Sequence, residues 1–252
     1  MAATPLTDSS TPHVYSTDRA LFEQPVLARS LLTTFAAANK DHFKALKTAQ
    51  AYTFGDREVK AGVSLEELAT KNVDDKTAAA VLEAVFDELA AQKARPVLLA
   101  IDDAQSLFAT SDYLDPSYTA LESFSLSVPR LLLAFVSGTK AFAQGAVVLA
   151  PSLLSKKTSP AMDVFLSGAA APAAFDDVGS EFATYQATLA GAHKVEVPAR
   201  LERREAVGVI EMLQALRGVR EPVSDRGFLE RYVASDGNAR ALSRSLGANV
   251  RL

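Results

Sequence analysis

Two adjacent carboxylates, Asp102 and Asp103, stand at the end of the apolar run Val97-Leu98-Leu99-Ala100-Ile101. A short run of this kind, opened by Arg95-Pro96 and closed by acids, predicts a strand buried on both faces of a parallel sheet. The side chains that follow such a strand lie at the carboxyl edge of the sheet, where open α/β folds bind ligands. A carboxylate there can hold Mg2+ directly or through water, which makes Asp102 the metal-side residue and Asp103 a water-orienting acid. Solvated strand ends, or caps of a following helix, would use the same two residues. A second apolar run, Ala146-Val147-Val148-Leu149-Ala150, ends in Pro151-Ser152. Ser152 is the corresponding polar group there, either a ligand contact or a turn hydroxyl. Nearer the carboxyl end, Ser235-Asp236-Gly237-Asn238-Ala239-Arg240 opens a last helix. Asn238 or Asp236 reads there as an ordinary N-cap.

Phosphate-binding chemistry needs more than these groups. The loop G-x-x-x-x-G-K-[ST], whose backbone amides and lysine cradle the β- and γ-phosphates, occurs nowhere in the sequence. Gly55 and Gly62 have the wrong spacing, and Gly138-Thr139-Lys140 lacks both the first glycine and the following hydroxyl. Hydrolysis by this chain alone is therefore not expected. There is no G-x-S-x-G elbow, no H-E-x-x-H and no G-x-G-x-x-G after a strand. Cysteine is absent and the three histidines are scattered, which removes thiolate sites and disfavours triads and His-pair metal sites. Lys156-Lys157 and Arg203-Arg204 are basic pairs that either touch RNA phosphates or are solvated surface.

The elements that must position these groups follow from periodicity. The chain has 252 residues, 48% of them hydrophobic, enough for one substantial core with a small appendage. Its net charge of -4 argues against an autonomous nucleic-acid binder, although a local basic face is compatible with an acidic total. No apolar run approaches the roughly 20 residues of a membrane helix. Residues 1–20 read as an irregular lead-in without the features of a transit peptide. A helix is expected over about 25–49, a charged break at 55–62, and a short helix capped by Ser64 with Glu67 as its box partner. Another helix follows Asp74-Asp75, with Val81, Val85 and Leu89 on one row. A loop after 113–116 and a helix near 129–137 lead to the second apolar strand, making a βαβ unit. Residues 156–180 read as a surface excursion, and Val195 and Val197 as a short strand. Helices over about 201–217, 225–234 and from Asn238 complete an all-helical tail. The expected organisation is a lead-in at 1–20, an α/β core at 21–198 and a helical lid at 199–252.

Several segments in order then resemble one family. Phe22-Glu23-Gln24-Pro25-Val26-Leu27-Ala28 with Leu31-Leu32, Pro96 to Ala104, Tyr113-Leu114-Asp115-Pro116, Val128-Pro129-Arg130, Gly145-Ala146-Val147 with Ala150, and Asn238-Ala239-Arg240-Ala241-Leu242 are similar to the death-associated protein three family, fungal-type members above all. The resemblance runs over about residues 20–252. It implies an incomplete P-loop NTPase of AAA or STAND type, α/β with a parallel sheet and flanking helices, followed by the helical lid. In that frame Asp102 stands in the Walker-B position with Asp103 beside it, and Ser152 in a sensor-one position. Gly-Asn-x-Arg at the last helix start resembles the sensor-two segment of AAA-type ATPases, which implies a phosphate contact for Arg240 with Asn238 beside it, as the alternative to a plain N-cap. The family is a constituent of the mitochondrial small ribosomal subunit, in the matrix. It contacts mainly neighbouring small-subunit proteins, with limited rRNA contact, and takes part in a bridge to the large subunit; no membrane is involved. Full-length members bind GTP or GDP with Mg2+, and animal members are linked to apoptosis. Set against the resemblance, the Walker-A portion and the transit peptide are not found in this sequence, so the expectation is either a truncated gene product or a divergent one completed by another polypeptide, with neither nucleotide bound tightly. A regulatory GTP- or ATP-binding NTPase and an apoptosis-linked adaptor are the competing functional classes.

Overall fold

A computed structural model describes residues 21–152, 157–170, 179, 181–216 and 223–247. The chain divides into two units, residues 1–193 and 194–252, each described by itself. The first unit begins with α1 (Pro25–Ala38), whose proline occupies the first turn, where its missing amide costs nothing. The helix expected to continue to residue 49 breaks at Asn39, whose backbone leaves helical geometry while its Nδ2 donates to the Phe35 carbonyl at 3.1 Å. α2 (Lys40–Ala45) follows at once. The charged break is a small antiparallel hairpin, β1 (Tyr52–Phe54) and β2 (Arg57–Val59), turning at Gly55 with φ of 58°. α3 (Leu65–Thr70) is capped as expected, the Ser64 hydroxyl accepting from the Glu67 amide at 3.2 Å. α4 (Ala78–Ala91) starts after Asp74, whose carboxylate accepts from the Lys76 and Thr77 amides.

β3 (Val97–Asp102) pairs in parallel with a later strand, and the chain between them is not a simple helical crossover. It makes a 3-10 turn over Ala104–Phe108, an irregular antiparallel pair β4 (Thr110–Leu114) and β5 (Ala120–Glu122), a second 3-10 turn over Ser123–Ser125, and α5 (Ser127–Val136). In the stretch expected to be a loop after residues 113–116, residues 115–119 are the tip of the β4–β5 pair, and β5 and the second 3-10 turn follow. β6 (Gly145–Ala150) then lies beside β3, Leu99 opposite Val147 and Asp102 opposite Ala150. α6 (Pro160–Ser167) runs through the segment expected to be a surface excursion and buries Ala161, Met162 and Val164; Ser159 caps it and Pro160 opens it. α7 (Phe182–Leu189) closes the unit.

Two apolar clusters form the core. One gathers α1, α3, α4 and α5 around Leu32, Leu68, Val81, Val85 and Phe86, with Leu99 and Val147 against it. The other joins Phe108, Phe124, Met162, Tyr185 and Leu189, with Ile101 and Leu149 against it. Both draw on the same face of the parallel pair. The opposite face carries Leu98, 67% exposed, and Val148, 48% exposed, with Ala100 opposite Val148. The strands were expected to be buried on both faces; instead they alternate, because the described helices collect on one side only.

Three polar knots hold the unit. Glu88, 5% exposed, accepts from the Ala49 amide at 2.9 Å and the Tyr52 hydroxyl at 2.8 Å, tying α4 to β1 and the chain leading into it. Tyr185 donates to Glu122 at 2.7 Å; burial, then the Glu122 charge, hold its phenol far above the usual range. Lys140 is clamped by Glu83 and Asp87 of α4, each at 2.8 Å; burial opposes its charge, but those two acids prevail and raise its pKa.

The second unit begins without the expected strand: residues 192–198 form no strand, and Val195 and Val197 are both over 80% exposed. α8 (Arg203–Ala215) opens with a reciprocal capping box between Glu202 and Glu205. α9 (Asp225–Ala234) and α10 (Ala239–Ser245) pack on it. The Leu201 amide donates to the Gly237 carbonyl at 2.7 Å and the Tyr232 hydroxyl to the Leu201 carbonyl at 2.8 Å. Among the described residues, Ala206, Ile210, Leu213 and Leu242 are its buried apolar side chains.

Candidate functional site

Because Asp102 stands opposite Ala150, the segments leaving β3 and β6 emerge at one edge. The chain turns sharply after Asp102, with Asp103 at φ of 56°. A short polar side chain tolerates that left-handed geometry far better than a branched one. Local bonds support the turn: the Asp103 amide donates to Asp102 Oδ1 at 2.9 Å, and the Ser106 hydroxyl donates to the Asp103 carbonyl at 2.7 Å.

The centre of this edge is Gln105, 6% exposed. Its Nε2 donates to Asp103 Oδ1 at 3.0 Å and to the Ser152 carbonyl at 2.7 Å. Its Oε1 accepts from the Ser152 amide at 3.0 Å. One buried carboxamide therefore joins the two strand ends and satisfies its own donors and acceptor, as a buried polar group must. The sequence reading did not single out Gln105. The signal available was a glutamine set among Ala104, Leu107 and Phe108, three residues that are buried with it.

Asp102, Asp103 and Ser152 are thus brought together, with Gln105 as the residue that joins two of them. Asn238 and Arg240 belong to the second unit. Asn238 caps α10, its Oδ1 accepting from the Ala241 amide at 2.9 Å. Asp236 has φ of 50° and pairs with Arg200 at 2.7 Å. Arg240 is exposed on the first turn of α10.

The fit of a magnesium nucleotide to this edge can be judged from its donors. Asp102 is exposed, with one oxygen accepting a local amide, and Gln105 takes one oxygen of Asp103. Among the described residues no group of three or more His, Cys, Asp or Glu is placed to hold a metal ion. A bound nucleotide would meet one available carboxylate and no phosphate cradle, so the described residues do not fit it by themselves. Chemically the edge is a hydrogen-bonded junction between strands.

Fold and edge together define an α/β protein with a parallel strand pair, an acidic turn at its carboxyl edge and a small helical unit after it. Residues 1–245 match the family described as mitochondrial ribosomal death-associated protein 3, and the chain belongs to that family. The small ribosomal subunit protein mS29 of Schizosaccharomyces pombe is 27% identical over 164 residues, 63% of this chain and 34% of that relative. The match thus spans about a third of the relative's length. The resemblance read from the sequence is the family that the comparison finds.

Proposed function

We propose that the chain is a structural constituent of the mitochondrial small ribosomal subunit and has no catalytic activity of its own. The observation that carries this reading is the family match, together with a relative named as a small ribosomal subunit protein. The geometry agrees with a structural role: at the edge where a ligand would sit, Gln105 spends its hydrogen bonds on Asp103 and Ser152. In this reading the α/β unit is a P-loop-type core of AAA or STAND kind, and Asp102, Asp103 and Ser152 are the remnant of its guanine-nucleotide site. Asn238 and Arg240 are the remnant of a sensor segment, used here as a helix start. Neighbouring small-subunit proteins are the main partners, with a share in a bridge to the large subunit, and the location is the mitochondrial matrix.

Depleting the protein tests this reading. Small subunits assembled in mitochondria, and pulse-labelled mitochondrial translation products, fall together; unchanged levels of both refute it. Adding GTP or GDP with Mg2+ to the purified chain leaves its melting midpoint unmoved. Saturating a real site at about 100 times its Kd would add about 2.7 kcal/mol of stability and a clear upward shift.

A further inference from the structure

The two units carry opposite charge. Residues 194–252 hold 11 basic and 8 acidic side chains, a net charge of +3. Residues 1–193 hold 15 basic and 22 acidic side chains, a net charge of -7. The kind of base differs as well: ten of the 15 arginines, but one of the 11 lysines, lie in the helical unit. Arginine offers a planar fork that matches phosphate and stacks on flat rings, whereas lysine offers a hydrated point charge.

Three of the described arginines in this unit are engaged. Arg200 pairs with Asp236 at 2.7 Å, Arg226 with Glu230 at 2.8 Å, and Arg231 donates to the Gly227 carbonyl at 2.9 Å. Arg203 and Arg204 are exposed and line a groove between the first turns of α8 and α9. Its apolar lining is Val207, Phe228 and Leu229. Phe228 is half-buried and stacks on Tyr232, ring centres 5.7 Å apart, which holds its ring in place. Asp225 is the acid on the groove. It works against a bare polyanion lying along the whole groove, and offers an acceptor to a base amino group.

We infer that the groove between α8 and α9 is an RNA contact, in which Arg203 and Arg204 hold backbone phosphates and an unstacked base lies on the apolar floor at Phe228. Single-stranded RNA is recognised in this way, by stacking on aromatic rings with arginine on the backbone. An acidic protein segment would also meet the arginines, whose fork fits carboxylate as well as phosphate; Asp225 on the groove repels its carboxylates, whereas a neutral base can donate to that same acid. The inference rests on the ribosomal reading above and adds the class of partner for the helical unit.

The test is fluorescence anisotropy of the full chain with a labelled single-stranded oligoribonucleotide, repeated over a range of salt. The double variant R203Q/R204Q weakens binding by roughly tenfold and flattens the slope of log K against log salt by about 1.4, the contribution of two phosphate contacts to a single strand. Phe228→Leu weakens binding severalfold with the slope unchanged, and Arg226→Gln changes neither. Helical circular dichroism verifies that each variant is folded. No RNA binding by the wild-type chain, full binding by R203Q/R204Q, or displacement of the RNA by a glutamate-rich peptide at lower concentration than by unlabelled RNA would each overturn the inference. Sedimentation of the wild-type chain reads the ribosomal assignment separately. A chain that travels with small subunits while R203Q/R204Q binds RNA normally refutes the groove alone.

Discussion

At the scale of single residues, the carboxylate of Glu88 and the hydroxyl of Tyr52 form the contact most open to a direct pH measurement. Burial, and next to it the Glu88 charge, push the Tyr52 phenol from 10.0 up to about 12, although a bond from Gln50 pulls the other way. A folded pKa above the unfolded one gives stability that is complete below pH 10 and lost as pH rises through 12. Tyr52→Phe is therefore expected to lower stability by about 1 kcal/mol at neutral pH, the worth of one hydrogen bond. It also flattens the decline of urea stability between pH 10 and 12; an unchanged alkaline decline would remove Tyr52 as its source. Asp102 and Asp103 were legible in the sequence because two acids directly after an apolar run mark a strand end whatever the rest of the chain does. Gln105 and Glu88 were not. Gln105 finds Ser152 47 residues away, and Glu88 finds Tyr52 36 residues away, so neither side chain shows its use until the chain has folded.

At the scale of elements, helices with their own caps were readable: Ser64, Asn238 and the run 225–234 lie where local chemistry puts them. Elements that depend on a neighbour were not. Val195 and Val197 alternate as a strand would, but among the described residues no strand pairs with them and both stay exposed. α6 was hidden by composition, although Ser159 and Pro160 are an ordinary helix start. The parallel pair is the informative case. Continuous apolar sequence in β3 and β6 encodes an environment covered on both faces, yet among the described residues only one face has helices against it. A bare apolar sheet face favours association. Leu98→Gln with Val148→Thr should lower concentration-dependent light scattering by the purified chain and leave urea stability within about 0.5 kcal/mol, as for surface substitutions elsewhere. Destabilisation by several kcal/mol would mean that this face is packed in solution.

At the scale of the whole molecule, the acidic total that argued against nucleic-acid binding is the sum of two unlike units. The first is acidic and is held by buried knots at Glu88, Gln105 and Tyr185, rigid devices suited to a scaffold. The second is small and arginine-rich, and few of its described side chains are buried. The proposed ribosomal role, which rests on membership of the mitochondrial ribosomal death-associated protein 3 family, would give both a common setting in a large particle. We propose above that the chain is part of the mitochondrial small subunit. Sucrose-gradient sedimentation of mitochondrial extract containing the tagged chain tests it most directly. The chain is expected to peak with small-subunit rRNA and to remain there when the gradient is run at moderately raised salt. A chain found only at the top of the gradient, while small subunits sediment intact, would contradict it.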